Sequence, residues 1–340
     1  MTTQDLVGTA KALVADDKGL LAMDESTPTC NRRFAALGIP QTEEARRAYR
    51  ELIITTPGLR EFVSGVILYD ETIRQRTKDG TPFVKAIADA GIITGIKVDT
   101  GAKEMASHPG EKITEGLDGL RERLQEYSRM GTRFAKWRAV IALGSGIPSR
   151  GCIEANAQVL ARYAALCQEA ELVPIVEPEV LMDGGHTLER CEEVTNLVLD
   201  SVFEHLFAAR VAFEGMVLKP NMVIPGKKSP DQASPARIAE ATVRTLKRQV
   251  PPAVPGIAFL SGGQSPTEAT LHLSLMHAAG PLPWALTFSF GRALQEDALK
   301  AWGGKPSGVA AGQQAIATRA KFNGLAATGE YSAAMEASAA

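Results

Sequence analysis

Several features that define other classes of protein are missing from this 340-residue sequence. It has no run of about 18 apolar residues, which a membrane-spanning helix needs. Its formal net charge of -2 argues against nucleic acid or an anionic membrane as the main partner. The start of the chain lacks the basic and apolar layout of a signal peptide. Together these absences favour a cytoplasmic protein with no membrane and no nucleic acid among its partners.

Cysteine and histidine, which supply most disulfide and zinc sites, are also scarce. The four cysteines lie too far apart in sequence for a redox or zinc motif, so we expect buried thiols in a reducing compartment. The five histidines include no HxH, HxxxH or HExxH spacing, and none falls in a predicted strand. The sequence therefore predicts no catalytic metal.

The chain does contain a regular alternation of short apolar segments and amphipathic helical segments. The apolar segments have the length of buried strands, and eight of them are found. They span 20–26, 63–71, 93–101, 134–141, 172–180, 215–223, 256–263 and 284–291. Alternating strands and helices imply a parallel sheet, and eight such units can close a (β/α)8 barrel.

No linker or low-complexity stretch divides the chain before about residue 330. The α/β pattern therefore predicts a single-domain TIM barrel over residues 1–340. The residues before the first strand have the pattern of an amphipathic helix, an N-terminal extension with Gly19 near its end. The small and polar ending predicts a mobile C-terminal tail over about 323–340.

Polar side chains end most of the predicted strands. In TIM barrels the reactive groups lie at the carboxyl ends of the strands, around a common mouth. One charged strand end is easily a solvated terminus, but here six consecutive strands end this way. They carry Asp24, Asp70, Lys97, Lys136 with Arg138, Glu177 with Glu179, and Lys219. Because residues two apart on a strand share a face, each pair points into the same mouth.

The last two strands end in glycine turns that lead into helices. The first turn is Ser261-Gly262-Gly263, followed by a capping-box pattern at Ser265 and Glu268. The second contains Ser289, Gly291 and Arg292. Backbone N–H groups in such turns converge on anions, and the loops after strands seven and eight are the usual barrel phosphate site. A separate cationic set, Arg33, Lys97 and Arg138, suggests a substrate with phosphate at both ends.

Lys219 directly follows an apolar segment, where lysine is uncommon. A lysine amine is a nucleophile only when neutral, and burial beside a cation such as Lys136 lowers its pKa. A neutral amine can form an imine with a ketone and so act as an electron sink for carbon–carbon cleavage. We expect one carboxyl of the Glu177 and Glu179 pair to carry a raised pKa and shuttle protons, with Asp24 as the base.

The chain closely resembles class I fructose-1,6-bisphosphate aldolase, the Schiff-base-forming and metal-independent type. The resemblance covers about Leu6 to Gly304. It rests on the motifs LLAMDEST, SGVILYDETI, GIKVDTG, FAKWR, LVPIVEPE, VLKPNMV, FLSGGQS and FSFGRALQ. It implies reversible cleavage of fructose 1,6-bisphosphate to dihydroxyacetone phosphate and glyceraldehyde 3-phosphate, in glycolysis and gluconeogenesis, by a homotetramer without a cofactor.

The resemblance also implies individual roles. Lys219 matches the imine-forming lysine, Glu177 the proton donor with Glu179 as its partner, and Asp24 the residue that handles the C4 hydroxyl. Lys136 matches the cation that tunes Asp24 and the lysine. The C1-phosphate site is implied at Ser261, Gly262, Ser289, Gly291 and Arg292, and the distal C6-phosphate site at Arg33, Lys97 and Arg138. Ser26 and Gly263 are further substrate-binding candidates.

Two departures from the family pattern bear on function. Many members end in a tyrosine on a flexible tail that visits the active site, but this chain ends in EASAA and its last tyrosine is Tyr331. Pro28-Thr29-Cys30 stands where the family often has glycine-serine, which affects contacts to the distal phosphate. Alternatives are therefore a preference for sedoheptulose 1,7-bisphosphate or fructose 1-phosphate, a phosphosugar isomerase, or a non-catalytic phosphosugar-binding scaffold.

Overall fold

A computed structural model of the chain describes residues 3–15 and 17–337. Eight parallel strands form a closed barrel in the order β1-β10-β9-β8-β7-β6-β3-β2. The barrel strands are β1 Gly19–Ala22, β2 Val63–Leu68, β3 Ile93–Lys97, β6 Phe134–Ile141, β7 Val173–Val180, β8 Val217–Leu218, β9 Gly256–Phe259 and β10 Ala285–Phe290. Each lies within a predicted segment or one residue before its start, so the predicted single-domain (β/α)8 barrel is confirmed.

Helices surround the barrel, and a small hairpin follows the third barrel strand. The helices are α1 Thr3–Leu13, α2 Thr27–Ala35, α3 Glu43–Ile54, α4 Asp70–Ile73, α5 Phe83–Asp89, α6 Leu120–Arg129, α7 Arg150–Glu169, α8 Leu188–Ala208, α9 Pro235–Gln249, α10 Pro266–Met276, α11 Arg292–Trp302, α12 Val309–Ala327 and α13 Ala334–Ala337. The antiparallel hairpin, β4 Gly101–Glu104 and β5 Lys112–Glu115, was not predicted, because its short and largely exposed strands carry no apolar alternation.

The N-terminal helix closes the end of the barrel opposite the mouth. Leu6, Ala10, Leu13 and Val14 pack in one apolar cluster with residues from the beginnings of several barrel strands. The predicted extension is therefore present, but its boundary is wrong, because α1 ends at Leu13 and Gly19 opens β1. A Cβ on Gly19 would lie 2.5 Å from the backbone oxygen of Phe288, so close packing between strands explains this glycine.

The segment predicted as a mobile tail begins inside a helix. Helix α12 continues to Ala327, and Asn323 is fully buried, where its Oδ1 accepts a hydrogen bond from Thr270 at 2.8 Å. The boundary at about 323 is therefore wrong, because this end of the helix packs against α10. The last part of the tail predicted over about 323–340, residues 338–340, lies outside the residues that the structure describes.

Tyr331 is buried in the same part of the chain. Its hydroxyl donates to Glu336 Oε1 at 2.7 Å, and Glu336 is bound by both terminal nitrogens of Arg319 at 2.6 and 2.9 Å. The backbone oxygen of Tyr331 accepts a hydrogen bond from Ser274, near the end of α10. Because α10 starts at the mouth and runs away from it, Tyr331 lies toward the closed end of the barrel and does not line the mouth cavity.

Within residues 3–15 and 17–337, no helix combines the length and the hydropathy of a membrane-crossing segment. The apolar residues instead form two clusters, one inside the barrel and one between the barrel and its helices. The mouth is left to polar side chains.

Candidate active site

A cavity of about 620 Å³ opens at the carboxyl ends of the barrel strands. All fifteen residues proposed from the sequence line it, although they come from seven different strands and the turns that follow them. They are Asp24, Ser26, Arg33, Lys97, Lys136, Arg138, Glu177, Glu179, Lys219, Ser261, Gly262, Gly263, Ser289, Gly291 and Arg292. The strand-end argument failed at one further residue. Asp70 belongs to α4, pairs with Arg74 at 2.9 Å and lies outside this cavity.

Lys219 is held at the end of the shortest barrel strand. The two-residue strand β8 is followed at once by Lys219, whose backbone N–H donates to Val176 in β7 at 2.8 Å. Its residue is 3% exposed, and its Nζ lies 3.3 Å from Glu177 Oε1. Burial lowers the pKa of the Lys219 amine, Glu177 opposes that change, and the neighbouring Lys136 adds to it. The amine is therefore easier to deprotonate than an ordinary lysine, as predicted.

Lys136 forms the centre of a buried charge cluster. Its Nζ lies 2.7 Å from Asp24 Oδ2 and 3.1 Å from Glu177 Oε2. Burial lowers the pKa of Lys136, but the two carboxylates outweigh burial and raise it, so this lysine stays cationic. Burial likewise raises the pKa of Asp24, but Lys136 and Lys219 hold it well below its usual range. The two buried lysines thus have opposite tendencies, one toward the neutral amine and one toward the cation.

Glu177 and Glu179 lie on the same face of β7, as predicted, but each has its own cation. Glu177 lies between Lys136 and Lys219, and Glu179 forms an ion pair with the Nε of Arg138. Burial raises the pKa of Glu177, but Lys136 and Lys219 outweigh burial and leave it below its usual value. The expectation of a raised pKa is therefore wrong for Glu177, because flanking cations replace the direct carboxylate–carboxylate repulsion on which it rested.

The turns after β9 and β10 form the side of the cavity rich in backbone donors. Ser265 caps α10 through the predicted capping box with Glu268. Gly263 has a φ of +80°, and a Cβ there would lie 2.2 Å from Cγ of Met182. Only glycine fits this left-handed and crowded position. Arg292 opens α11 with a half-exposed side chain, and the hydroxyl of the buried Ser289 also faces the cavity. Two helix N-termini therefore point to the same side, which favours an anion.

The opposite side of the cavity carries cations on longer side chains. Lys97 ends β3 and pairs with Asp99 at 2.6 Å, and Arg138 reaches out from β6 to Glu179. Ser26 is the residue before α2, and its hydroxyl donates to Thr29 at 3.1 Å. Arg33, on α2, forms an ion pair with Glu25. The two cationic sides predicted from the sequence thus flank the buried lysines.

Several lining residues were missed from the sequence, among them the carboxylates Asp99 and Glu25. Asp99 is buried and binds Lys97 Nζ, and its other oxygen accepts the backbone N–H of Arg138 at 3.2 Å. It lies two residues after Lys97, so the same-face rule applied to the Glu177 pair would have found it. Glu25 directly follows Asp24 and also lines the cavity. The sequence gave no signal for Glu25, because its main partner, Arg50, is 25 residues away along the chain.

Among the residues that the structure describes, no group of three or more His, Cys, Asp or Glu side chains is arranged to hold a metal ion. What the cavity does offer is a buried amine of lowered pKa, a carboxylate within reach of it, a second carboxylate across a fixed cation, and an anion-binding surface on each side. This set suits imine chemistry on a phosphorylated carbonyl compound.

Comparisons with known proteins agree with that chemistry. A family model described as glycolytic fructose-bisphosphate aldolase class I matches residues 5–340. The chain is 58% identical over 332 residues, 97% of its length and 99% of the relative's, to a probable fructose-bisphosphate aldolase class 1 of Xanthomonas campestris pv. campestris. It is 53% identical to the cytosolic fructose-bisphosphate aldolase 5 of Arabidopsis thaliana, over 96% of this chain and 91% of that one.

A solved structure is similar over nearly the whole chain. The fructose-bisphosphate aldolase of Plasmodium falciparum, in complex with TRAP and a small molecule inhibitor, superposes with a TM-score of 0.96 at 47% identity, covering 97% of this chain and 95% of that one. The fold, the matched length and the identities agree with one another. The chain belongs to the class I fructose-bisphosphate aldolase family.

Proposed function

We propose that the protein is a lyase that reversibly cleaves fructose 1,6-bisphosphate to dihydroxyacetone phosphate and glyceraldehyde 3-phosphate through an imine on Lys219. The observation that carries the proposal is the burial of Lys219 with a lowered pKa, 3.3 Å from Glu177 and beside the cationic Lys136. The membership of the family supports the same reaction, which needs no metal and no other cofactor.

The imine forms in two proton-coupled steps. The neutral Nζ of Lys219 attacks the C2 carbonyl, and the carboxylate of Glu177 takes the proton that the nitrogen then releases. Glu177 returns this proton to the C2 alkoxide that the attack creates, which gives the carbinolamine. A second proton, taken up from solvent through Glu177, then lets the C2 hydroxyl leave as water, and the nitrogen keeps its remaining proton in the protonated imine. A carboxylate that is ionised at rest suits this role, so the lowered pKa of Glu177 agrees with the mechanism. Glu179 forms an ion pair with Arg138 and so fixes the outer part of strand β6 next to Glu177.

Cleavage of the C3–C4 bond follows from the protonated imine. Asp24 takes the proton of the C4 hydroxyl, the C3–C4 electron pair moves to the imine as an enamine, and the aldehyde leaves. Lys136 contacts Asp24 and Glu177, so it holds both proton carriers and stabilises their negative charge. Protonation of the enamine at C3 and hydrolysis then release dihydroxyacetone phosphate and return the free amine.

The two phosphates bind on opposite sides of the lysines. The turns containing Ser261, Gly262, Gly263, Ser289 and Gly291, with Arg292, take the C1 phosphate through backbone N–H groups and helix N-termini. Ser26, Arg33, Lys97 and Arg138 take the distal C6 phosphate. The ratio of rates on bisphosphates and monophosphates tests this assignment. A preference for sedoheptulose 1,7-bisphosphate or fructose 1-phosphate is the alternative that such rates would reveal.

The deciding experiment is reduction with borohydride in the presence of dihydroxyacetone phosphate, followed by intact mass and peptide mapping, with and without EDTA. We expect one adduct on the peptide that contains Lys219, and turnover that EDTA does not change. Turnover abolished by EDTA, with no adduct, would contradict the imine. Absence of both adduct and turnover would favour a phosphosugar-binding scaffold, and isomerase activity that survives loss of Lys219 would favour an isomerase.

We further propose that the protein is a cytoplasmic homotetramer. A cytosolic relative at 53% identity supports the location, and the family resemblance supports the assembly. Mass photometry at nanomolar concentration tests the assembly, with a mass of four chains as the expected result. A species of one or two chains at every concentration would contradict it.

A further inference from the structure

A buried ion pair beside the cavity takes no part in the proposed chemistry. Arg50, on α3, is 2% exposed, and its Nη2 lies 2.7 Å from Glu25 Oε2. The side chain of Glu25 is 7% exposed, and the same arginine also contacts the Glu25 backbone oxygen at 3.5 Å. Removing two charges from water costs several kcal/mol per ion. A pair this deeply buried therefore points to a task that an apolar pair could not perform.

Glu25 is fixed at a critical place in the chain. It lies between Asp24, which contacts Lys136, and Ser26, which precedes α2. The side-chain amide of Gln295 donates to Glu25 Oε1 at 2.9 Å and to the Ala22 backbone oxygen at 2.7 Å. Three elements, α3, α11 and the end of β1, thus hold one carboxylate in place.

The same Oε1 that accepts from Gln295 also binds Arg33, at the edge of the cavity. The Nη1 of Arg33 donates to Glu25 Oε1, and the Arg33 side chain is partly exposed. Over residues 3–15 and 17–337, Glu25 is the sole anionic side chain within ion-pair distance of Arg33. A guanidinium has five donors in a planar fork, so one bond to Glu25 fixes the plane and leaves donors for a phosphate.

We infer that Glu25, locked by the buried Arg50, is a positioning residue that orients the Arg33 guanidinium toward the distal phosphate. The inference rests on the proposed function, since it assumes that Arg33 meets the C6 phosphate. Glu25 acts through Arg33 and not on the reacting atoms. The positive charge of Arg50 balances the negative charge of Glu25, so the buried Glu25 carboxylate remains ionised.

The test is steady-state kinetics of the double variant Glu25→Gln/Arg50→Met, with fructose 1,6-bisphosphate and fructose 1-phosphate as substrates. Both charges are removed together, because a single change would leave the other charge buried and unpaired and would destabilise the fold. We expect KM for the bisphosphate to rise about tenfold, the effect of one hydrogen bond to a charged group. KM for the monophosphate and both kcat values should stay within about twofold.

Coupling to Arg33 distinguishes positioning from a general structural role. In an Arg33→Ala background, the double variant should cause no further change in the ratio of the two KM values, because the group it orients is gone. Equal rises in both KM values, or a further change in the Arg33→Ala background, would overturn the inference. An unchanged KM for the bisphosphate would overturn it as well.

The chain offers a matched control on the same helix. Arg46 binds Glu71 through two hydrogen bonds of 2.7 and 2.6 Å, is largely buried, and does not line the cavity. Arg46→Met/Glu71→Gln should lower the melting temperature without changing the ratio of the KM values. Wild-type turnover and the borohydride adduct are measured in parallel. If both are absent, the proposed function has failed; if both are present, the kinetics test the positioning alone.

Discussion

The centre of the cavity and its rim are built from similar residues but in different ways. At the centre, Lys219, Lys136 and Glu177 are nearly inaccessible to water, and the Glu177 carboxylate lies 3.1 Å from Lys136 and 3.3 Å from Lys219. At the rim, Arg292 is 51% exposed in its side chain, and Arg33 and Arg138 are partly exposed. The rim also uses backbone N–H groups of tight turns, which have no counterpart at the centre.

This difference implies two kinds of tolerance to change. Charges in a low-dielectric centre interact strongly, so a single substitution there alters the protonation of every neighbour. Exposed charges at the rim are screened by water and by salt, so one substitution costs less. Chemistry should therefore depend on the centre, and affinity and substrate choice on the rim.

The largest effect is expected from Lys219→Met. A thioether of similar length keeps the buried volume but removes the nucleophile, so kcat should fall by about 10⁴-fold or more. Rates, the borohydride adduct and the melting temperature should be measured together. Turnover close to wild type with a normal melting temperature would show that the centre does not carry the chemistry.

A smaller loss is expected from Lys136→Met. Without this cation the pKa values of Asp24 and Glu177 should rise, because burial is then opposed by fewer positive charges. The pKa of Lys219 should also rise, since a neighbouring cation is gone. We expect kcat/KM to fall about 10²- to 10³-fold and the acid limb of its pH profile to move toward neutral pH. An unshifted acid limb would contradict the coupling of these groups.

At the rim, Gly263→Ala and Gly280→Ala form a matched pair. Both glycines have φ near +80°, but a Cβ on Gly280 meets nothing within 4 Å, whereas one on Gly263 meets Met182. Gly280→Ala should cost about 2 kcal/mol of backbone strain and leave kinetics unchanged. Gly263→Ala should cost about 3 kcal/mol and raise KM about tenfold. Chemical denaturation and kinetics measure both, and equal losses would rule out the steric explanation.

His272 supports the rim of the cavity, and its substitution should have the smallest effect on activity. Its Nδ1 lies 2.6 Å from the side chain of Gln264, whose backbone oxygen accepts a hydrogen bond from Arg292. Burial lowers the pKa of His272 to about 4. Between about pH 6.5 and pH 4 the unfolded chain binds a proton here that the folded chain does not, so stability should fall by about 2 to 3 kcal/mol as pH falls through this range.

Urea unfolding at several pH values measures this dependence. His272→Gln removes the titrating group, so the part of the pH dependence that arises from it should disappear. Above about pH 8 the wild-type histidine is neutral in both states, and no linkage is expected there. The same acid sensitivity in wild type and variant would show that other groups are responsible.

Much of the fold was predictable because its signals are local. Short and largely apolar strand segments, helices with one apolar face, and the capping box of Ser265 and Glu268 each depend on residues close together in sequence. The position of a residue at a strand end then placed Asp24, Lys219 and Arg292 at one mouth, since a parallel barrel brings all carboxyl ends to one side. The end of helix α12 was missed because it is rich in small residues, which are typical of flexible segments. Here those small residues allow close packing between helices.

The sequence by itself determined the barrel, the residues at its mouth and the presence of a lysine where an apolar strand ends. Only the tertiary structure decided how those charges pair. It placed Glu177 between two lysines, which lower its pKa, and gave Glu179 its own arginine, whereas the sequence led to the expectation of a raised pKa on one member of the pair. Charge pairing depends on distances across strands and helices that are far apart in sequence, as with Glu25 and Arg50, and burial sets its strength. These distances are not encoded in any local pattern of residues.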